Sequence, residues 1–239
     1  KKLVLIYITH LHWDHFHGPT LKRLASELGN IRFLIPKTPE SRLHQDLTLF
    51  AKSIPIDQLI HAKNYNYHPF NLVSFQQGIA FADSTLAIKV GQDWIWNMND
   101  CKLTNHSLKH LSSITGKPKY ALRSHSSANW RSCMRAKSAE APEAIHDKNL
   151  KSYSREFFQS CYLTGASIAI PFASNVACLH RNTFQYNKIL NFSDYVDKDF
   201  SDCADRFGDM RVQLLLPGES LDISSGHLLS KNDSFRKAI

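Results

Sequence analysis

The chain has 239 residues, a hydrophobic fraction of 43% and a net charge of +8, from 29 Lys and Arg against 21 Asp and Glu. This composition is typical of a globular protein and excludes disordered, collagen-like and repeat proteins. No apolar run approaches the roughly 18 residues of a membrane-spanning helix, so we expect no membrane span. The five cysteines at irregular spacing favour a reducing compartment, and we expect a cytoplasmic protein.

Strand-like and helical patterns alternate along the chain, which predicts an α/β protein. The apolar segment Leu3–Thr9 predicts a buried strand, and leucines at helical spacing after Gly18 predict a helix that ends at Gly29. Further strands are predicted at 31–35, 70–75, 85–90, 94–97, 120–123, 167–173 and 210–216, and further helices at 40–50, 103–114 and 155–163. The segment 133–152 is rich in Ala, Lys and Glu without a clear apolar face, and it predicts a surface loop. No linker divides the chain, so residues 1–239 are expected to form one domain.

Histidine is unusually frequent, with 13 in the chain, and several lie directly after the first predicted strand. His10, His12, Asp14 and His15 have the spacing H-x-H-x-D-H. On a loop that leaves a strand, His10 and His12 alternate onto one side and can share a metal ion. Asp14 and His15 lie one turn further on and can hold a second ion. Imidazole and carboxylate suit zinc, and also iron and manganese. The alternative is a surface loop with adventitious metal affinity.

The segment ITHLHWDHFHG resembles the H-x-H-x-D-H signature of the metallo-β-lactamase fold superfamily. This resemblance implies a four-layer αββα sandwich with metal sites at one edge. It also implies that Asp100, which ends the strand-like segment WIWNMND, bridges two ions. The segments NDCK and SIAIPFASNVACLH are similar to the branch that contains ascorbate-phosphate lactonases, acyl-ethanolamine phospholipases D and CMP-N-acetylneuraminate hydroxylase-like proteins. Because this family carries strands ahead of its first motif, we expect some N-terminal strands of the fold to be missing from this chain.

The resemblance also implies a third histidine for the first metal, and this chain has no histidine in residues 74–88, where it is expected. We take Asp83 as the preferred substitute, because a carboxylate makes a harder metal site. A turn or capping role at the start of a strand is equally compatible with Asp83. Gln77 and His68 are the alternative ligands.

The last ligand that the resemblance implies is a histidine in a Pro-x-His segment after a late strand. Here Pro171 is followed by Phe172 and Ala173, so that histidine is replaced. We take His180 as the ligand in its place, and His125, also at a predicted strand end, competes with it. A lone histidine is more often hydrogen-bonded and structural, which is the alternative for both.

Together these features predict a metalloenzyme with two divalent ions, for which zinc is preferred and iron or manganese are alternatives. The predicted reaction is hydrolysis of a small anionic ester, lactone or phosphoester by a metal-bound hydroxide, with Asp14 and Asp100 as catalytic residues. The basic surplus favours a small anionic substrate over nucleic acid. The alternative is a diiron oxygenase or hydroxylase, which the resemblance to the CMP-N-acetylneuraminate hydroxylase branch implies. A degenerate member with one weakly bound ion is the third hypothesis.

Overall fold

A computed structural model describes residues 3–77, 83–126, 142–173, 179–181 and 193–236. Contacts between residues divide the chain into two compact units, Lys1–Gly116 and Lys117–Ile239. None of the helices in these described ranges is long and apolar enough to cross a membrane. The expectation that residues 1–239 form one domain stays a prediction.

The first unit alternates strands and helices in its first half and forms an antiparallel meander in its second. Its strands are β1 (Val4–Tyr7), β2 (Ile31–Pro36), β3 (Ile56–Leu59), β4 (Asn64–Tyr67), β5 (Phe70–Gln77), β6 (Asp83–Val90) and β7 (Asp93–Asn99). Its helices are α1 (Gly18–Leu28), α2 (Arg42–Phe50) and α3 (Asn105–Thr115).

Strands β1, β2 and β3 form a parallel sheet, with Val4 opposite Ile31 and Phe33 opposite Ile56. Parallel neighbours need a long crossover, and the helices α1 and α2 supply it. Leu47 of α2 packs among buried apolar side chains of the sheet and of α1, namely Ile8, Leu21, Phe33 and Ile35. The parallel order places the segment that follows β1 at the carboxyl edge of this sheet.

Strands β4 to β7 form an antiparallel sheet in which β5 pairs with β6 so that Gln77 lies opposite Asp83. Leu34 of the first sheet packs with Leu72 and Leu86 of this one. The Tyr7 hydroxyl lies 2.7 Å from the hydroxyls of both Ser74 and Ser84, and burial raises its pKa to about 12. Tyr7 therefore stays protonated and ties the end of β1 to the start of β6.

The second unit has parallel strands β8 (Tyr120–Arg123), β9 (Ile168–Pro171) and β10 (Arg211–Val212), with Tyr120 opposite Ile168. The antiparallel pair β11 (Ser220–Leu221) and β12 (Leu228–Ser230) follows. Its helices are α4 (Pro142–Thr164), α5 (Ser193–Ser201), a 3₁₀ helix (Ala204–Phe207) and α6 (Asp233–Arg236). Phe158 of α4 packs edge-on against Phe200 and Phe207, which fixes α4 to the following helices.

The local structure differs from expectation in three places. Residues 142–152, expected in a loop, belong to α4, while 133–141 lie outside the described residues. The expected strand at 210–216 pairs only over Arg211–Val212, although Leu214 and Leu216 are buried beyond it. Strands β3 and β4 were not expected, because their sequences, IDQL and NYNY, carry too few apolar residues for a strand pattern.

Candidate metal centre

The segment between β1 and α1 folds into a tight turn that brings its polar side chains back over the end of the sheet. The backbone N–H groups of His15 and Phe16 both donate to the carbonyl oxygen of His12, at 3.0 and 2.7 Å. Helix α1 then begins at Gly18, where a Cβ atom would lie 2.7 Å from the ring of Phe50 in α2. The glycine thus allows α1 to start close against α2, which fixes the length of the turn.

One group of three possible ligands consists of His10, His12 and Asp83. His10 Nε2 lies 2.7 Å from His12 Nδ1 and 3.6 Å from Asp83 Oδ1. Two donor atoms on one ion, with bonds of about 2.1 Å, are about 3.0–3.4 Å apart, so shifts of a few tenths of an ångström would bring these atoms to the separations of a shared ion. Asp83 reaches the histidines because it begins β6 directly beside the end of β1.

A second group consists of His10, His15 and Asp100, whose ligand atoms lie within 4.8 Å of one another. His15 Nε2 is 3.1 Å from Asp100 Oδ2 and 3.3 Å from Asp14 Oδ2. Asp100 directly follows β7, and its carboxylate faces both His10 and His15. Asp14 belongs to neither group of three, and its side chain is 73% exposed.

His10, which is buried, and His15, which is partly buried, have opposite shifts in pKa. Burial lowers the pKa of His10, and the nearby His15 lowers it further. Burial also disfavours a charged His15, but its hydrogen bond to Asp100 and the charge of Asp14 outweigh burial and raise its pKa. His10 is therefore held in the neutral form that binds a metal, whereas a proton competes with a metal at His15.

Two polar residues that the sequence motif does not single out lie behind these histidines. Thr9 Oγ1 is 3.0 Å from His10 Nδ1 and 3.3 Å from His15 Nδ1. Asn99 Nδ2 is 3.2 Å from both Thr9 Oγ1 and His15 Nδ1. Thr9 and Asn99 thus contact the ring nitrogens that face away from Asp83 and Asp100. The only signal for them in the sequence is their position next to His10 and Asp100.

Several solved structures have a fold similar to that of most of this chain. The structure of a CmlA β-hydroxylase E377D mutant matches 90% of this chain and 43% of its own, with a TM-score of 0.59 and 13% identity. CmlA from Streptomyces venezuelae, a diiron β-hydroxylase, matches 90% of this chain and 44% of its own, with a TM-score of 0.55 and 13% identity. The metallo-β-lactamase fold protein YhfI from Bacillus subtilis matches 95% of this chain and 78% of its own, with a TM-score of 0.55 and 11% identity. The chain has the metallo-β-lactamase fold.

The metallo-β-lactamase fold expected from ITHLHWDHFHG is thus confirmed, and the His and Asp groups lie at the end of β1 that the motif follows. The chain spans less than half the length of the CmlA structures that it matches. No family model matches the chain, and no curated protein matches it significantly.

Four further ligand candidates fall at different places in the metallo-β-lactamase fold. Gln77 lies opposite Asp83, and its side-chain oxygen accepts a hydrogen bond from Ser107 at 2.5 Å. His68 precedes β5, at the end of that strand remote from Gln77, so it cannot reach the group that contains Asp83. His125 is buried after β8, and His180 is exposed, both in the second unit. Their assignment as the last ligand stays a prediction.

Proposed function

We propose that this chain is a metal-dependent enzyme that binds two divalent ions at the end of β1. The first ion is held by His10, His12 and Asp83, and the second by Asp14, His15 and Asp100. The distances between ligand atoms support this division, because His10 Nε2 faces the first set and His15 Nε2 lies within 3.3 Å of a carboxylate oxygen of both Asp14 and Asp100.

The observation that carries the proposed reaction is Asp83, whose Oδ1 lies 3.6 Å from His10 Nε2. Two histidines and one carboxylate with open positions are the ligand set of non-haem iron oxygenases, and the carboxylate makes the site harder than three imidazoles would. Bound iron at such a site supplies activation of dioxygen. We therefore propose hydroxylation of a small substrate, and the likeness to CmlA, a diiron β-hydroxylase, supports this choice.

The buried and the exposed side chains of the site have different roles. His10 is buried and its pKa is lowered, so it offers a neutral nitrogen near pH 7. His12 and Asp14 are exposed and leave the centre open to solvent on their side. Two divalent ions carry more positive charge than the carboxylates of Asp14, Asp83 and Asp100 neutralise. The loaded site therefore attracts an anionic substrate. The net charge of +8 acts in the same direction.

Hydrolysis of an anionic ester, lactone or phosphoester is the second candidate function, and Asp14 is the observation that favours it. Its carboxylate is 73% exposed and lies 3.3 Å from His15 Nε2, where it can orient a water molecule. Zinc also accepts two nitrogen ligands and one carboxylate in catalytic sites. A zinc-loaded protein would then act without dioxygen.

Metal analysis combined with two assays separates these functions. Protein produced without added metal is analysed for iron and zinc, then reconstituted with either ion under anaerobic conditions. We expect about two iron ions per chain and oxidation of the ferrous protein by dioxygen much faster than that of ferrous ion in buffer. Two zinc ions with oxygen-independent cleavage of nitrophenyl esters or phosphates would contradict the oxygenase and support the hydrolase. Less than one ion per chain under all conditions would contradict both.

Asp83 can be tested directly with two substitutions that differ in ligand type. Asp83→Asn removes the charged ligand, and we expect the iron content to fall by about one ion per chain. Asp83→His supplies a third imidazole, and we expect it to bind zinc in preference to iron, because softer nitrogen ligands suit zinc. If the iron content of Asp83→Asn is unchanged, and circular dichroism shows an intact fold, Asp83 is not a ligand of the first metal ion.

A further inference from the structure

Thr9 and Asn99 form a hydrogen-bonded pair that contacts His10 and His15. Both are buried, with exposed fractions of 6% and 7%. The Thr9 hydroxyl lies 3.0 Å from His10 Nδ1 and 3.3 Å from His15 Nδ1, and Asn99 Nδ2 lies 3.2 Å from that hydroxyl. Since the carbonyl oxygen of Thr9 accepts a hydrogen bond from Ser84 at 2.8 Å, its backbone is fixed as well.

The number of donors and acceptors fixes how this pair must be arranged around two bound ions. An ion on the Nε2 atom of each neutral ring leaves the ring proton on Nδ1, so His10 and His15 both become donors toward Thr9. A threonine hydroxyl accepts two hydrogen bonds and donates one. Its two lone pairs are then used by the rings, and its own proton needs an acceptor. Asn99 is the side chain in reach for that proton.

The amide of Asn99 is placed with its nitrogen, not its oxygen, toward Thr9 and His15. That nitrogen would be a third donor toward one hydroxyl. On its other side, Asn99 Oδ1 is buried, and no donor of the described residues reaches it. Rotation of the amide by about half a turn exchanges the two atoms, since both project to the same distance from Cγ. The oxygen then accepts the Thr9 hydroxyl proton and shares the single His15 Nδ1 proton with Thr9 Oγ1, which lies 3.3 Å from that nitrogen.

We propose that Asn99 is a positioning residue for the second metal ion, and that its Oδ1 accepts hydrogen bonds from Thr9 and from His15 Nδ1 when the ions are bound. This inference rests on the proposed dinuclear site. It explains why asparagine occupies a position with a φ of +54°, where most side chains are strained. Asparagine tolerates this backbone and also supplies the acceptor. The site needs that acceptor directly before Asp100.

Zinc binding to the whole chain tests this role, with two variants that keep the backbone conformation. Asn99→Gly tolerates a positive φ but removes the amide, and Asn99→Asp keeps an acceptor oxygen toward Thr9 in either orientation. Competition with a chromophoric chelator measures the affinity for each of two zinc ions. We expect Asn99→Gly to lower the affinity for the second zinc ion by about 10–100-fold. Asn99→Asp should bind this ion at least as tightly as the wild type does.

A spectroscopic measurement distinguishes the proposed hydrogen bonds from a general effect on folding. Long-range ¹H–¹⁵N correlation spectra of the zinc-loaded chain report which ring nitrogen of His15 carries the proton. We expect a slowly exchanging proton on Nδ1 in the wild type and in Asn99→Asp, and its rapid exchange with solvent in Asn99→Gly. Thr9→Val should weaken zinc binding and Thr9→Ser should not, because only serine retains the hydroxyl.

The outcomes separate this inference from the proposed function. A wild-type chain that binds no zinc and no iron contradicts the dinuclear site, and the role of Asn99 with it. A wild-type chain that binds two ions while Asn99→Gly binds them equally well contradicts the role of Asn99 alone. Equal losses in Asn99→Gly and Asn99→Asp would show that the oxygen acceptor is not what the site requires.

Discussion

His15 lies between two carboxylates, and their charges determine how readily it takes a proton. Its Nε2 is 3.1 Å from Asp100 and 3.3 Å from Asp14. These contacts raise its pKa in spite of burial, whereas burial and the proximity of His15 lower the pKa of His10. The same carboxylates that attract a proton to His15 would attract a divalent ion, so metal and proton compete at this residue.

Replacing Asp100 by Asn should lower the pKa of His15 in chain treated with a chelator. The substitution removes the hydrogen-bonded negative charge but keeps the size of the side chain. A pH titration of the histidine ring protons by NMR measures both chains, and His227, exposed in the second unit, serves as an internal reference. An unchanged His15 titration would show that Asp100 does not interact with it.

The same pair predicts a pH dependence of stability with a definite sign. A raised pKa means that the folded chain holds the His15 proton more tightly than the unfolded chain does. The charged pair therefore stabilises the fold fully below the ordinary histidine pKa of 6.5, and this contribution is lost as the pH rises through the raised value. In chelator-treated chain, urea unfolding should show a destabilisation by Asp100→Asn that is larger at pH 6 than at pH 9. A difference of the opposite sign would contradict the raised pKa.

The candidate site shows which residues a sequence can indicate and which it cannot. His10, His12, Asp14 and His15 lie within six positions, so their spacing alone indicates shared ligation. Asp83 could be proposed only as a substitute, because its position beside the histidines depends on how β6 packs against β1. The contacts of Thr9 and Asn99 depend on the direction of each side chain in the folded protein, and no spacing rule encodes that direction.

Helix α2 offers a matched test of how the first sheet is covered. Leu47 is fully buried, whereas Leu49, two positions later, is 69% exposed. Leu47→Ala should lower the free energy of unfolding by about 2–5 kcal/mol, because it loses buried apolar surface and leaves a cavity. Leu49→Ala should change it by less than about 0.5 kcal/mol. Chemical denaturation measures both, and similar losses in the two variants would contradict this packing of α2.

The elements that the sequence predicts well are those that bury one clear face. Helix α1 begins at Gly18 as expected, and β2 and β5 coincide with their apolar runs. Strand β4 has the sequence NYNY and lies at the edge of its sheet, where polar residues are tolerated and no apolar pattern is needed. Part of α4 was expected to be a loop for lack of an apolar face, although Ala, Lys and Glu favour a helix by intrinsic propensity alone.

On the scale of the whole molecule, every residue of the two described ligand groups lies in the first unit, although β1, β6 and β7 are distant in sequence. The fold class was predictable because one local motif resembles that of the metallo-β-lactamase fold. The division of the chain at Gly116 was not, because no linker composition marks it. An ion at the site would link the segment after β1, the start of β6 and the end of β7.

Metal removal should therefore lower the thermal stability of the chain. A ligand that binds only the folded state at 100 times its dissociation constant stabilises it by about 2.7 kcal/mol, which for a chain of this size raises the melting temperature by about 5–10 °C. We expect a chelator to remove this increment, as followed by circular dichroism, and excess zinc or iron to restore it. His12→Gln, at an exposed position, should lose about half of the metal-dependent increment, because the first ion loses a ligand while the second ion keeps all of its own. His227→Gln, equally exposed but in the second unit, should keep it. If both variants respond to metal as the wild type does, the stabilising ion is bound elsewhere than at His12.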